Sequence, residues 1–266
     1  MDLGLRGKRA LVTGASQGIG RACAESLARE GCHLELVARN RDGLETARAQ
    51  LSAHGIDIAI HPLDLTRQGA ARDLANACPG IDILVNNAGN TPRGTLLEVD
   101  EDTWRKGWEL KIFGYINLTR EYYRAMVERR SGVIVNVIGI GAEKLEYAYA
   151  AGSTGNAALA ALTRAIGSVS LEYGVRVLGV NPGWVETEKS KRGLRARAAR
   201  ELGDAERWPE LTQHWPRGFL IRPHEIGDVV AFAASERASA LSGVVVTVDA
   251  GFSARGYPYD TAVRPA

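Results

Sequence analysis

Thr13-Gly14-Ala15-Ser16-Gln17-Gly18-Ile19-Gly20 is the first stretch of this chain whose residue types suggest chemistry. Its glycines permit a tight turn and let an anion come close to the backbone. If a helix opens there, its unpaired N–H groups and dipole favour a pyrophosphate; the plainer alternative is a tight strand-to-helix turn without a ligand. Arg39 is a second candidate, in Ala38-Arg39-Asn40-Arg41 with no acid before Asp42. Its guanidinium suits a phosphate through a bidentate fork, or it is a solvated residue at a strand end. Further along, Lys189, Lys191, Arg192, Arg195, Arg197 and Arg200 precede Trp208, His214 and Trp215. Such a run would attract a carboxylate, a phosphate or a coenzyme A thioester, or form the solvated face of a helix. Ser153 has no histidine nearby in sequence to activate it, so Ser153 or Thr154 reads as a helix cap rather than a nucleophile.

These residues need a scaffold, and the hydrophobic pattern supplies alternating strands and helices. Short apolar runs predict strands over 9–13, 33–38, 56–62, 81–85, 133–137, 175–180 and 244–248. Helices are expected over 19–29, 41–53, 69–77, 101–129, 152–173 and 224–234. Near-continuous apolar strands are what a parallel sheet covered on both faces requires. Repeated strand–helix units with right-handed crossovers then give an α/β doubly wound parallel sheet, a Rossmann fold of about seven strands. No linker or repeat divides the chain, so one domain over 1–266 is expected.

Composition narrows the class of function. With 45% hydrophobic and 24% charged residues, the chain has an ordinary globular balance rather than a disordered one. A formal charge of +2 gives no reason to expect a nucleic-acid partner. The three cysteines, Cys23, Cys32 and Cys78, share no metal-like spacing and read as reduced structural thiols. No apolar run approaches the ~18 residues of a membrane span, and Met1-Asp2-Leu3-Gly4 shows no leader pattern. A cytoplasmic protein without metal or membrane partner is the expectation.

The motifs together resemble the short-chain dehydrogenase/reductase family from about Leu5 to Phe252. The spacing Thr-Gly-x-x-x-Gly-x-Gly matches that family's nucleotide turn, which implies cofactor contacts from Gly14, Ser16, Gln17, Gly18, Ile19 and Gly20. Asp64 and Leu65 follow the third strand, where the family contacts adenine. Asn87, Ala88 and Gly89 lie in Asn86-Asn87-Ala88-Gly89, the family's ribose-contacting turn. Pro182, Gly183, Val185 and Thr187 match its Pro-Gly-x-x-x-Thr segment beside the nicotinamide and phosphates. Val248-Asp249-Ala250-Gly251 resembles its Val-Asp-Gly-Gly with one glycine changed. Arg39 at the end of the second strand then favours NADP(H) over NAD(H), because a carboxylate there would repel the 2′-phosphate. The family's basic residue within the nucleotide turn is replaced by Gln17. A substrate lid over 186–222 and a homodimer or homotetramer, packed through the helices after the fourth and fifth strands, are also implied.

The same resemblance breaks at the catalytic positions. The family's serine slot falls on Gly139, its tyrosine slot on Gly152 and its lysine slot on Asn156. Its asparagine slot falls on Lys111, so lysine and asparagine have traded places. Tyr149 stands three residues before the tyrosine slot and Tyr147 five before. A phenol is a poor base at neutral pH until a cation stabilises the phenolate, so Lys111, Tyr149 and Asn156 are the candidates for a rearranged proton relay. Lys111 could instead pair with Glu109 or Glu143. Gly152-Ser153-Thr154-Gly155 suggests a widened pocket or a second anion site. Three functions stay open: an NADP(H)-dependent oxidoreductase acting on a small, acidic carbonyl or alcohol; a lyase, hydratase, epimerase or hydrolase on the same pocket; and a non-catalytic regulator or partner subunit.

Overall fold

In the computed structural model, which describes residues 1–255, β1 (Arg9–Thr13), β2 (His33–Ala38) and β3 (Ile58–Pro62) alternate with α1 (Gly18–Arg29), α2 (Arg41–Leu51) and α3 (Ala70–Ala77). β4 (Ile83–Asn86) is followed by α4 (Glu101–Trp108) and α5 (Gly114–Glu128). β5 (Gly132–Val137), α6 (Ala150–Ser170), β6 (Val175–Pro182), α7 (Glu188–Leu202), α8 (Pro223–Ala234) and β7 (Val245–Val248) complete the order. All seven strands are parallel, in the order β3-β2-β1-β4-β5-β6-β7. This is the doubly wound α/β sheet that the apolar strands predicted.

Apolar faces of the strands explain the layering. Val12, Leu34, Leu36 and Leu178 bury against Cys23 and Leu27 of α1 and Val230 of α8. Leu11, Leu84, Ile134 and Val177 bury against Leu74 of α3 and Leu118, Tyr122 and Met126 of α5. Each such leucine contributes roughly 1.5–3 kcal/mol when removed from water. The strand order reverses between β1 and β4, which opens a crevice at their C-terminal ends. The turns after β1, β4, β5 and β6 all emerge at that edge.

Two expected helices differ from the observed ones. The single helix expected over 101–129 is interrupted by a π-helical turn at Glu109–Phe113, so α4 and α5 are separate segments. Such wide turns insert one extra residue and re-aim side chains, often at functional sites; Lys111 lies inside this one. The helix expected from Gly152 begins at Ala150, which makes Tyr149 its N-cap. The polar stretch after β6 folds as α7, capped by the Thr187 hydroxyl accepting from the Ser190 N–H.

Candidate active site

The Gly-rich turn is tied to the turn after β4. Thr13 Oγ1 accepts from the backbone N–H groups of Asn87 (2.8 Å) and Ala88 (3.0 Å), while Asn87 Nδ2 donates to the Thr13 carbonyl (2.9 Å). Gly14 has φ +70°, and a Cβ there would lie 2.7 Å from Asn87 Nδ2. A Cβ on Gly20 would lie 2.4 Å from the same nitrogen and from the Gly14 carbonyl oxygen. Both glycines are therefore required by the close approach itself. Gly18, at φ +57°, faces Thr187, whose Cγ2 is 3.3 Å from where a Cβ would stand. The segment after β6 thus closes over the turn after β1. At its start, α1 has no side-chain cap and no acid in its first turn, so its N-terminal amides point into this cradle without a competing anion.

Ser16, Gln17 and Ile19 lie at the rim of the cradle, with Gln17 exposed. Arg39 is exposed, and its charge reaches Asp64, whose carboxyl is held below its usual range chiefly by the Thr66 N–H. Among the described residues no carboxylate forms an ion pair with Arg39. Leu65 is half-buried against the α3–α5 layer. Pro182 ends β6, and the Gly183 N–H donates to the Val248 carbonyl. A side chain on Gly183 would meet Asp249 at 2.8 Å. Val185 is buried in the core and pairs with Ile221, which leaves its backbone as the part that can meet a ligand.

Tyr149 occupies an unusual place. A Cβ on Gly152 would stand 1.9 Å from Cζ of Tyr149, so the phenol ring fills the space into which any side chain at 152 would grow. This overturns the expectation of a widened pocket at Gly152. Gly155 is likewise filled from outside: a Cβ there would lie 2.9 Å from Ile112 Cδ1 and 3.2 Å from Trp108 Nε1. The Tyr149 hydroxyl lies 2.6 Å from Thr91 Oγ1, in the loop after β4. That loop and the segment before α6 are joined by a Gly94–Tyr149 bridge and by the Gly94 N–H donating to the Ala148 carbonyl (2.8 Å). The expected caps also differ. Ser153 Oγ accepts weakly from the Glu146 N–H (3.5 Å), and Thr154 bonds back to the Ala150 carbonyl (2.9 Å).

Lys111 and Asn156 reach the same turn after β5. Lys111 Nζ donates to the Ile138 carbonyl (2.5 Å), and its stem crosses Gly89, where a Cβ would lie 2.8 Å from Lys111 Cδ. The pairing with Glu109 or Glu143 does not occur. Glu143 accepts instead from Asn181 Nδ2 (3.0 Å) and Thr247 Oγ1 (2.8 Å). Asn156 lies against Gly139 and Gly141, and the point where a Cβ on Gly141 would lie is 3.0 Å from Asn156 Nδ2 and 3.4 Å from Tyr149 Cε1. Its Oδ1 is buried and has no hydrogen-bond partner among the described residues. Burial, with the nearby Lys189 charge, pulls the Lys111 ammonium down to about 7. Lys189 is itself lowered, first by burial and then by Arg93 and Arg192.

Arg93 also borders the site, at a position that no sequence motif marks. Its guanidinium stands 4.7 Å from the Tyr149 ring centre and 5.1 Å from that of Trp184, and it pairs with Glu146. The pairing joins residues far apart in sequence, so no local spacing could have revealed it. Thr91 was missed for the same reason. Trp184 continues through Trp215 (5.1 Å) to Phe252 (5.4 Å), an aromatic wall beside the cleft. The His214 carbonyl accepts from Arg255 Nη1 (3.2 Å).

The model of the short chain dehydrogenase family matches residues 8–197. Among curated proteins, the chain is 32% identical over 253 residues to a 3-oxoacyl-(acyl-carrier-protein) reductase of Vibrio cholerae, covering 94% of this chain and 98% of that protein. It is 34% identical over 252 residues to a galactitol 2-dehydrogenase (L-tagatose-forming) of Cereibacter sphaeroides, covering 94% and 96%. Among solved structures, the L-sorbose reductase of Gluconobacter frateurii complexed with NADPH and L-sorbose superposes with a TM-score of 0.87 at 29% identity, covering 95% of this chain and 98% of that one.

Proposed function

Because the chain belongs to the short-chain dehydrogenase/reductase family, we propose that it is an NADP(H)-dependent oxidoreductase with a rearranged proton relay, acting on a small carbonyl or alcohol substrate that carries an acidic group. The observation that supports the reading is Tyr149: its ring lies where a side chain at Gly152 would begin, which brings a phenol from three residues earlier next to the position of the family's tyrosine. The residues fit the cofactor. Gly14, Gly18 and Gly20 leave a cradle for the pyrophosphate, with Thr187 facing it. In keeping with the family resemblance, Asp64 and Leu65 would flank the adenine, and Asn87, Ala88 and Gly89 the ribose. Pro182, Gly183 and the Val185 backbone would border the nicotinamide.

The nicotinamide, when bound, supplies or accepts the hydride. The chain's own residues do the rest. Tyr149 exchanges a proton with the substrate oxygen, and Thr91 fixes the direction of its hydroxyl. Lys111 supplies the positive charge at the end of β5, in the role that the family gives to a lysine at the Asn156 position. The unpartnered Asn156 Oδ1 waits to accept a ribose hydroxyl, since an orphaned buried acceptor is costly unless a ligand satisfies it. Lys111 and Lys189 put positive charge on the substrate side, and among the described residues no carboxylate pairs with either, whereas Arg93 is already paired with Glu146. An acidic substrate would relieve that charge. The exposed alanines 157, 158, 161 and 165 on α6 leave a small-residue face suited to a second copy of the chain.

The test is carbonyl-dependent oxidation of NADPH with a series of oxo acids and their neutral esters. We expect the acids to exceed the esters at least about tenfold in kcat/KM, in line with loss of one charge-assisted contact. Turnover with no change in nicotinamide absorbance would move the reading to a lyase or epimerase. Binding of NADPH without turnover of any substrate would move it to a non-catalytic partner. Because Lys111 is depressed to about 7, binding of an anion should raise it and draw in a proton at about pH 8. Calorimetry in buffers of different ionisation enthalpy measures this uptake, and none would contradict the charge assignment.

Arg39→Ala tests the nucleotide. Loss of a bidentate phosphate contact should weaken NADPH binding about ten- to a hundredfold, with NADH nearly unchanged. Parallel fluorescence titrations decide it; equal losses would return Arg39 to the status of a solvated side chain.

A further inference from the structure

We propose that Glu35, His61 and Cys78 form a binding site for a thiophilic divalent cation, Zn2+ foremost, on the α3–α5 face of the sheet and outside the nucleotide cleft. Glu35 is an acid between two buried leucines in the middle of β2, and it is only 9% exposed. A carboxylate so placed is expensive unless it is paired. In the register of β2 with β3, Val37 opposes His61 and Glu35 opposes Ala59, so His61 is the diagonal neighbour of Glu35 on one face. Cys78 follows the last turn of α3 and comes down onto the same pair.

The three donor atoms converge on one point. Glu35 Oε2 is 2.7 Å from His61 Nε2, His61 Nε2 is 3.3 Å from Cys78 Sγ, and Cys78 Sγ is 3.8 Å from Glu35 Oε2. It is the same carboxylate oxygen and the same ring nitrogen in each case, so the group is a triangle and not a relay in series. Tetrahedral zinc with its usual bonds to oxygen, nitrogen and sulfur sets donor atoms roughly 3.4–3.6 Å apart. Both edges to sulfur already fall within a few tenths of an ångström of that spacing. The nitrogen–oxygen edge must open by roughly 0.7 Å, which the partly exposed His61 ring can supply.

The surroundings suit a metal. Arg9 Nη2 holds the other carboxylate oxygen, Oε1, at 2.5 Å and fixes the carboxylate's orientation. The Tyr122 hydroxyl donates weakly to the Cys78 carbonyl at 3.5 Å and steadies the end of α3. The partly exposed side of His61 gives an entry path and a fourth position for water. One sulfur, one nitrogen and one oxygen select Zn2+ over Mg2+ or Ca2+. On binding, Cys78 gives up its thiol proton to solvent and forms the sulfur–metal bond. His61, whose Nε2–H donates to Glu35 in the metal-free state, moves to the Nδ1–H tautomer so that the Nε2 lone pair takes the metal. Carboxylate and thiolate then balance the two charges of the cation. The metal would pin β2, β3 and α3 together and stabilise the native state by mass action.

The experiment is equilibrium dialysis of the metal-stripped full chain against Zn2+, read by elemental analysis, with Co2+ as the spectroscopic probe. We expect about one Zn2+ per chain and a thiolate-to-cobalt charge-transfer band. Cys78→Ser and His61→Asn should each weaken binding at least about tenfold, with NADPH binding as the check that the fold survives. Less than about a fifth of an equivalent bound, or a cobalt spectrum without the thiolate band, would overturn the proposal. So would undiminished zinc binding by Cys78→Ser. If the variants fail to fold, the wild-type cobalt spectrum decides alone.

Discussion

Tyr149→Phe should lower kcat about a hundred- to ten-thousandfold, the range for loss of a positioned proton donor, while leaving NADPH affinity unchanged. The phenylalanine ring keeps the packing over Gly152, so only the hydroxyl and its 2.6 Å contact with Thr91 are lost. Gly152→Ala should give a loss of the same order with the phenol still present. Its Cβ would stand 1.9 Å from Cζ of Tyr149, and the ring would have to leave the site. The pair separates chemistry from packing, because one variant removes the hydroxyl and the other removes its position. Steady-state NADPH oxidation, with cofactor titration alongside, measures both. If Gly152→Ala is as active as wild type, the Tyr149 ring is not where the reaction needs it, and the proton donor must be sought elsewhere. Installing the family residues directly, as Gly152→Tyr with Asn156→Lys, should not give a working family-type relay and should lower activity below wild type. The new ring would collide with Tyr149, and a second cation would join Lys111 at the turn after β5.

The parallel sheet was legible because its strands read as largely apolar runs, interrupted by few polar residues such as Glu35 and Arg176. β1 and β2 fall at the bounds that their hydrophobic runs predict, and β6 extends two residues further because Asn181 and Pro182 remain in register with β7. The glycines of the nucleotide turn were legible for a different reason: Gly14 and Gly18 take positive φ, and a side chain on Gly14 or Gly20 would collide with Asn87. What the sequence concealed depends on contacts between distant segments. The π-helical turn around Lys111 has no periodic signature, because one inserted residue leaves the amphipathic pattern on either side intact. The placement of Tyr149 depends on the Gly94–Tyr149 bridge and on Arg93 with Glu146, which no spacing announces. Two glycines at the head of α6 therefore suggested empty space, when they are vacant so that neighbours can fill them. The convergence of Lys111 and Asn156 on Ile138 and Gly139 follows from the fold, since β5 delivers the turn that both side chains reach.

Lys111→Met should cost roughly a hundredfold in kcat/KM, comparable to removing one preorganised charge, and it should change the pH dependence in two ways. In the free protein the ammonium titrates at about 7 because burial and the Lys189 charge oppose it. A reaction that needs the cation therefore loses kcat/KM as pH rises through about 7. Bound anions favour the charged form, so the corresponding fall in kcat lies at higher pH. The variant should lack both inflections. Stability moves in the opposite sense. The folded pKa lies below the unfolded lysine value of ~10.4, so between the two the unfolded chain binds more protons and wild-type stability rises with pH. Below about 7 both states carry the charge and the full cost of its burial is present. Lys111→Met should therefore be more stable than wild type at about pH 6, and the difference should shrink towards about pH 10. Urea midpoints at the two pH values, set beside the rate profiles, measure both signs. A variant that loses activity without flattening either profile would show that the lysine serves only to pack over Gly89, and that the charge at the end of β5 does no chemistry.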